Sequence, residues 1–293
     1  MPARLSTAAA VAVALGLSTL PVPLTATAIT SAQDGKTKIN VSGRNRMLSQ
    51  RMAKAVCFAA IDVDTSAHLK MAASAHAQFD KALAGLRHGD TDLGILPENA
   101  PAILVELDGV DDLWATYGGA IAEIETASDI TPSALSDVAS LNLPTLVQMN
   151  KAVGAFEQRY GASDLHPALA LAINVSGRQR MLSQKSSKEF CLVVAGQSVS
   201  ENREALAATV ALFESSLLAL MDGSEDLGLP EAPTDEIYDQ LQRVQALWAP
   251  VAEVFKSVAA GGTPTAQQIK FVADQNNKIL AEMHKAVGMY AAL

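Results

Sequence analysis

The chain has 293 residues, is 49% hydrophobic with 4% aromatics, and carries a formal net charge of −9. Such a length suits two ordinary domains, and a composition dominated by Ala, Leu and Val favours helices over sheets. The acidic balance excludes a nucleic-acid backbone partner, which needs a dense basic surface, but leaves room for a local basic site for a small anion.

Residues 1–28 have the makeup of a signal peptide. Arg4 supplies the positive start, Ala8 to Leu20 the apolar run, and Ala26 to Ala28 a small-residue cleavage site, with Pro21 and Pro23 breaking any helix before it. Cleavage near Ala28 predicts an exported, periplasmic and soluble protein, in a compartment that permits disulfides. No later run approaches a spanning length without charge.

Four helical segments follow, over roughly 36–64, 66–88, 100–127 and 132–160. Thr131-Pro132 places a capping hydroxyl before a proline of the first turn, and Thr263-Pro264 is predicted to do the same for the last helix. "HGDTDLG" and "DGSEDLG" are turn-rich breaks between second and third helices. A hinge is expected at "GASDLHP" (161–167), with Ser163 or Asp164 capping the next helix.

The pattern then repeats. "INVSGRNRMLSQRMAKAVC" (Ile39 to Cys57) answers "INVSGRQRMLSQKSSKEFC" (Ile173 to Cys191), an offset of 134 that also carries Phe79 to Phe213, Trp114 to Trp248 and Lys151 to Lys285. A constant offset at distant places indicates duplication. The expected architecture is all-α: two tandem antiparallel four-helix bundles, 29–162 and 163–293, related by internal duplication.

The duplicated helix has two faces. Val41, Leu48, Met52, Ala55, Val56 and Ala59 form an apolar side that should enter a bundle core. Opposite it, Ile39, Gly43, Arg46, Gln50, Ala53 and Cys57 recur in steps of 4 and 3, the spacing of a helix–helix seam. The second copy gives Ile173, Gly177, Arg180, Gln184, Ser187 and Cys191. This small, polar stripe fits either solvated surface or a close contact line with something polar inside it. Facing guanidiniums repel unless an anion sits between their planar forks. Cys57 lies eleven residues after Arg46, close to three turns, so parallel copies would also bring Cys57 to Cys191. A disulfide is predicted there, the alternative being a pair of buried thiols. Arg44, Arg178, Arg51 and Lys54 crowd the same segment and are expected to pack partly against acidic neighbours.

"INVSGRNRMLSQRMAK" resembles the signature of the PilJ family, the N-terminal domain of type IV pili methyl-accepting chemotaxis transducers. It is also similar to the periplasmic box of nitrate/nitrite sensor kinases of the NarX type. The resemblance covers most of both units, roughly 36–160 and 168–293, although only the first-helix motif is specific. It implies extracytoplasmic four-helix sensor bundles; in the nitrate sensors two first helices of a dimer hold one anion with paired arginines. By motif position those arginines correspond to Arg46 and Arg180, so the tandem chain resembles a sensor dimer fused into one polypeptide. The chain departs from the nitrate sensors at Arg44, Asn45 and Leu48.

No catalytic set stands out, and the chain is read as non-enzymatic, without cofactor or metal. His68, His76, His88, His166 and His284 are scattered and taken as surface histidines. Met47 and Met181 are read as packing. Two functions remain in view. One is a binding or sensor module for a small, nitrate- or nitrite-like anion using Arg46, Arg180, Gly43, Gly177, Gln50 and Gln184. The other is an envelope scaffold tied to pili or chemotaxis signalling, with a membrane-bound signalling or pilus partner.

Overall fold

The computed structural model describes residues 29–127, 129–163 and 166–293. The signal-peptide segment 1–28 and the capping candidate Asp164 therefore lie outside the described residues. Eight helices run through them: α1 Ser31–Ala60, α2 Thr65–His88, α3 Pro101–Thr126, α4 Pro132–Ser163, α5 Pro167–Val194, α6 Val199–Asp222, α7 Asp235–Ala259 and α8 Ala266–Ala292. Helices α1–α4 form one antiparallel bundle and α5–α8 the other. The only β features among the described residues are two isolated bridges, Asp90–Ile95 and Ser224–Leu229, at equivalent turns.

Most elements fall where sequence places them, and the exceptions have local causes. Helix α1 begins at Ser31 rather than near 36, because the Thr30 hydroxyl accepts from the Gln33 amide at 3.2 Å and starts it a turn earlier. Thr131 caps α4 as expected, accepting from the Ala134 amide at 3.2 Å. For α8 the cap is Thr265 and not Thr263. Thr265 and Gln268 form a reciprocal capping box, so Pro264 stays outside the helix. At the junction between units, His166 takes the cap position of α5 with its ring accepting from the Ala168 amide, in place of Ser163, which ends α4. Helix α4 continues to Ser163.

Each bundle closes around the same aromatic pair. Trp114 stacks on Phe79 at 4.0 Å between ring centroids, and Trp248 on Phe213 at 3.7 Å. Equivalent turns use glycine where the backbone demands it: Gly89 and Gly223 end α2 and α6 at φ 81° and 83°. A Cβ on Gly89 would lie 2.8 Å from Pro97.

The bundles lie side by side. Helix α1 packs against α2 and α4 of its own unit and, most extensively, along α5. That is why α1 and α5 are buried on nearly every face. The apolar face enters the core, with Leu48, Met52, Ala55 and Val56 all at most 1% exposed, while the polar stripe becomes the contact line between repeats. Among the described residues one helix, α6, is long and apolar enough by composition to cross a membrane, but half of that stretch is buried inside the second bundle.

Candidate functional site

Helices α1 and α5 run parallel with their equivalent residues opposite one another, so the seam has a pseudo-twofold axis. Its layers follow from the 4-3 spacing. At one end, Cys57 and Cys191 form a disulfide with a Cα–Cα distance of 6.1 Å, both residues fully buried. About 16 Å away, at 1.5 Å per helical residue, lie Arg46 and Arg180.

Each arginine reaches across to the other repeat. Arg46 Nη2 donates to the backbone oxygen and Oδ1 of Asn174, at 3.2 and 2.7 Å, while its Nη1 donates to Asn150 Oδ1 at 3.1 Å. Arg180 Nη2 donates to the Asn40 carbonyl at 3.2 Å, and its Nη1 meets His284 Nδ1 at 3.3 Å. Asn150 and His284 are themselves separated by 134 residues, so the two arms are repeats of each other. Both Nη2 groups converge on the seam glycines. A Cβ on Gly43 would stand 3.4 Å from Arg46 Nη2 and 3.6 Å from Arg180 Nη2, and Gly177 gives the mirrored pair of distances. A larger side chain at either position would fill the space at the guanidinium tips.

The electrostatics are unusual for a protein interior. Arg46 and Arg180 are 3% and 0% exposed, yet none of the atoms they bond belongs to a carboxylate. Burial above all, and then like charge, pushes both guanidiniums down to about 9: Arg178 acts on Arg46, and Arg46 with Arg44 on Arg180. Both remain charged at neutral pH. The Nε donors of Arg44, Arg46, Arg178 and Arg180 are all buried without a protein acceptor. Such orphaned donors are rare and call for a reason. Glu157 is the acidic group felt by Arg46 and Arg178, and burial in turn raises its own pKa.

Between the arginines and the disulfide lies a second buried cationic layer. Lys54 Nζ donates to Asn276 Oδ1 at 2.9 Å, and Lys188 Nζ to Asn142 Oδ1 at 2.9 Å and Gln50 Oε1 at 3.1 Å. Burial lowers both lysines, Lys188 to about 8. Gln50 is therefore on the seam but turned toward Lys188, whereas Gln184 donates to Ser183 Oγ and leaves its Oε1 buried without a partner.

The acidic neighbours expected around this segment are largely asparagines. Arg51 bonds Asn277, Lys54 bonds Asn276, and Arg44 has no ion-pair partner among the described residues. The histidines are not all on the surface either. His68 is 4% exposed, with Nδ1 2.7 Å from the Val63 carbonyl and its ring stacked on Phe58. His284 is exposed as expected, with Nδ1 at Arg180. Sequence reasoning missed Asn150, His284, Asn142 and Asn276, although the 134-residue offset that exposed the first-helix repeat also pairs these positions. Among the described residues no cluster of three His, Cys, Asp or Glu is placed to hold a metal ion.

This doubled seam can be set beside known proteins. The family model described as "Type IV pili methyl-accepting chemotaxis transducer N-term", PilJ, matches residues 27–139 and again 168–272, one match per repeat. The chain belongs to the PilJ family. A curated relative, the methyl-accepting chemotaxis protein McpN of Pseudomonas aeruginosa, is 31% identical over 121 residues, 41% of this chain and 22% of the relative. The chain thus spans about a fifth of that protein's length. A PilJ domain matched twice within one polypeptide accounts for the pseudo-twofold axis: each first helix finds its counterpart in the same chain.

Proposed function

We propose that this PilJ-family chain is an exported, sensor-type ligand-binding protein that holds one small anion between Arg46 and Arg180. The observation that carries this reading is the pair of buried, facing guanidiniums whose Nε donors find no protein acceptor. An anion of nitrate or nitrite type would neutralise their repulsion and accept from a planar fork on each side. Gly43 and Gly177 keep the space at the tips clear, while Gln50 and Gln184 line the next layer. The resemblance of the motif to nitrate/nitrite sensors points the same way. The PilJ membership supports a sensory or signalling role, with a membrane-bound signalling or pilus partner, and the buried disulfide fits the oxidising periplasm reached through a signal peptide cleaved near Ala28. The binding unit is the pair of repeats, 29–162 with 163–293, because each contributes one arginine.

A thermal-shift series with nitrate, nitrite, sulfate and small carboxylates tests this reading. Ligand at a hundredfold excess over its dissociation constant stabilises by about 2.7 kcal/mol. The response should vanish in Arg46→Ala/Arg180→Ala while circular dichroism stays helical. A flat response across the panel removes the anion reading. One observation favours the scaffold instead: the same arginines clasp the bundles together through Asn174 and Asn40. In that case partner binding survives the double substitution.

A further inference from the structure

The two flanks of the seam are repeats of each other, yet their side chains differ in polarity. Beside Arg46, between α4 of the first bundle and α5 and α6 of the second, is a cavity of about 530 Å³. Its walls include Leu143, Val147 and Leu212, which are 51%, 49% and 42% exposed, with Leu146 and Leu182 buried behind them. At its polar end stand Arg46, Arg178, Asn150 and Asn174.

The equivalent positions on the other flank, 134 residues away, are Asn277, Ala281 and Gln78 in place of Leu143, Val147 and Leu212. There the corner is closed by hydrogen bonds: Arg51 Nη1 and Lys54 Nζ donate to Asn277 Oδ1 at 3.3 and 3.4 Å. On the cleft side Leu143 offers no acceptor, and Lys185, the counterpart of Arg51, also lines the cleft but is engaged by Glu189 and by Thr209 at 2.8 Å. Duplication therefore supplies its own control. One flank carries polar or small side chains, with Asn277 joined to Arg51 and Lys54, and the other exposes Leu143, Val147 and Leu212 beside a guanidinium at the inner end.

Arg178 is the group available there. It is partly buried, makes no hydrogen bond or ion pair among the described residues, and has an Nε donor buried without an acceptor. Glu157 lies near enough to favour its charge, but Asn174 holds that carboxylate by donating to it. The volume is that of a small-molecule site, and an apolar wall with one cationic end matches an amphiphile.

We propose that this cleft binds an organic anion with an apolar body, an alkyl or aryl carboxylate, whose head group meets Arg178 beside Asn150 while its body lies on Leu143, Val147 and Leu212. The head-group residue is Arg178, so the site is distinct from the anion site between Arg46 and Arg180.

The test is calorimetric titration of the full mature chain with straight-chain carboxylates from acetate to octanoate, below micelle-forming concentrations, beside nitrate as a head group without a body. Affinity should rise about three- to fourfold per methylene until the cleft is filled. The triple variant Leu143→Asn/Val147→Ala/Leu212→Gln gives the cleft flank the side chains of the opposite one and changes only exposed positions. It should abolish the chain-length dependence, and Arg178→Gln should weaken every carboxylate in the series. Affinity independent of chain length, a length dependence that survives the triple variant, or no carboxylate binding overturns the proposal. Nitrate binding separates the two sites. Its loss with octanoate retained removes the seam reading alone, whereas its persistence with a flat carboxylate series removes the cleft.

Discussion

The two repeats keep the same seam and differ at their ends and flanks. In the first bundle Lys38 is 1% exposed and bridges Asp34 at 2.9 Å and Glu98 at 3.2 Å, with the Tyr160 hydroxyl donating to Glu98 at 2.7 Å. Asp34 also accepts from the Leu96 amide, tying the start of α1 to the loop before α3. In the second bundle the positions of Asp34 and Lys38 are Ala168 and Ala172, and a small, largely apolar pocket lies there, lined by both alanines with Tyr290 and Leu293. Arg44, Arg46, Lys54, Cys57, Asn40 and Asn142, by contrast, recur as Arg178, Arg180, Lys188, Cys191, Asn174 and Asn276. What requires two facing copies is retained, and what concerns one bundle alone has been free to change.

The largest effect is expected at the disulfide. Cys57→Ala/Cys191→Ala removes a cross-link of 134 residues, which the chain-entropy account values at about 5 kcal/mol. Urea unfolding should show that loss with the helical content of both bundles retained; a loss under about 1 kcal/mol would mean that packing along α1 and α5 suffices without the bridge. Next is Lys38→Met, which leaves Asp34 and Glu98 buried without their cation and should cost roughly 3–5 kcal/mol by the same assay. Ala172→Met, at the matching place in the second bundle, strands no charge, so an equal loss there would show that volume rather than charge separates the two ends.

A smaller effect lies in the shared cationic layer. Lys188 titrates at about 8 when folded, against an ordinary 10.5. Between those values the unfolded chain holds a proton that the folded chain has released, so raising the pH through this window stabilises the fold, by at most about 1.4 kcal/mol per pH unit. Lys188→Met should flatten that rise when unfolding is compared at pH 7.5 and 9.5. An unchanged slope would assign the effect to other groups.

The smallest effect concerns the one unlike pair on the arginine arms, Asn150 and His284. Desolvation of its inner edge, then Arg180 and Arg44, lowers His284, so the ring is neutral near pH 7 and accepts from Arg180. As the pH falls through its titration the ring becomes a further cation beside Arg180. If the seam holds the proposed anion, its affinity should then rise, by no more than about tenfold per pH unit. His284→Asn makes the arms alike and should leave affinity level with pH in the same titrations. A pH dependence that persists in this variant points away from His284.

Much of the fold was legible because duplication writes the same signals twice. The 134-residue offset and the 4-3 stripe of Ile39, Gly43, Arg46, Gln50 and Cys57 were enough to expect two bundles, a parallel seam and its disulfide. The caps were less legible, since Thr263 and Thr265 flank the same proline and only the reciprocal bond with Gln268 selects between them. Of the candidate site, only the seam positions on α1 and α5 were legible. Asn150, His284, Asn142 and Asn276 lie on the fourth helix of each unit, where an exposed or core asparagine looks ordinary until three-dimensional packing brings it against a buried cation. The open cleft was invisible because Leu143, Val147 and Leu212 come from two helices far apart in sequence.

The sulfur bridge also restricts how the two bundles can move. It fixes the carboxyl-terminal ends of α1 and α5 to one another, so neither rod can slide lengthwise past its neighbour as a piston. Displacement at the guanidinium level, about 16 Å up the axis, must instead be a splaying or scissoring with the covalent joint as fulcrum. A signal from this molecule would accordingly be an angle between two levers, widest at the end away from the cysteines.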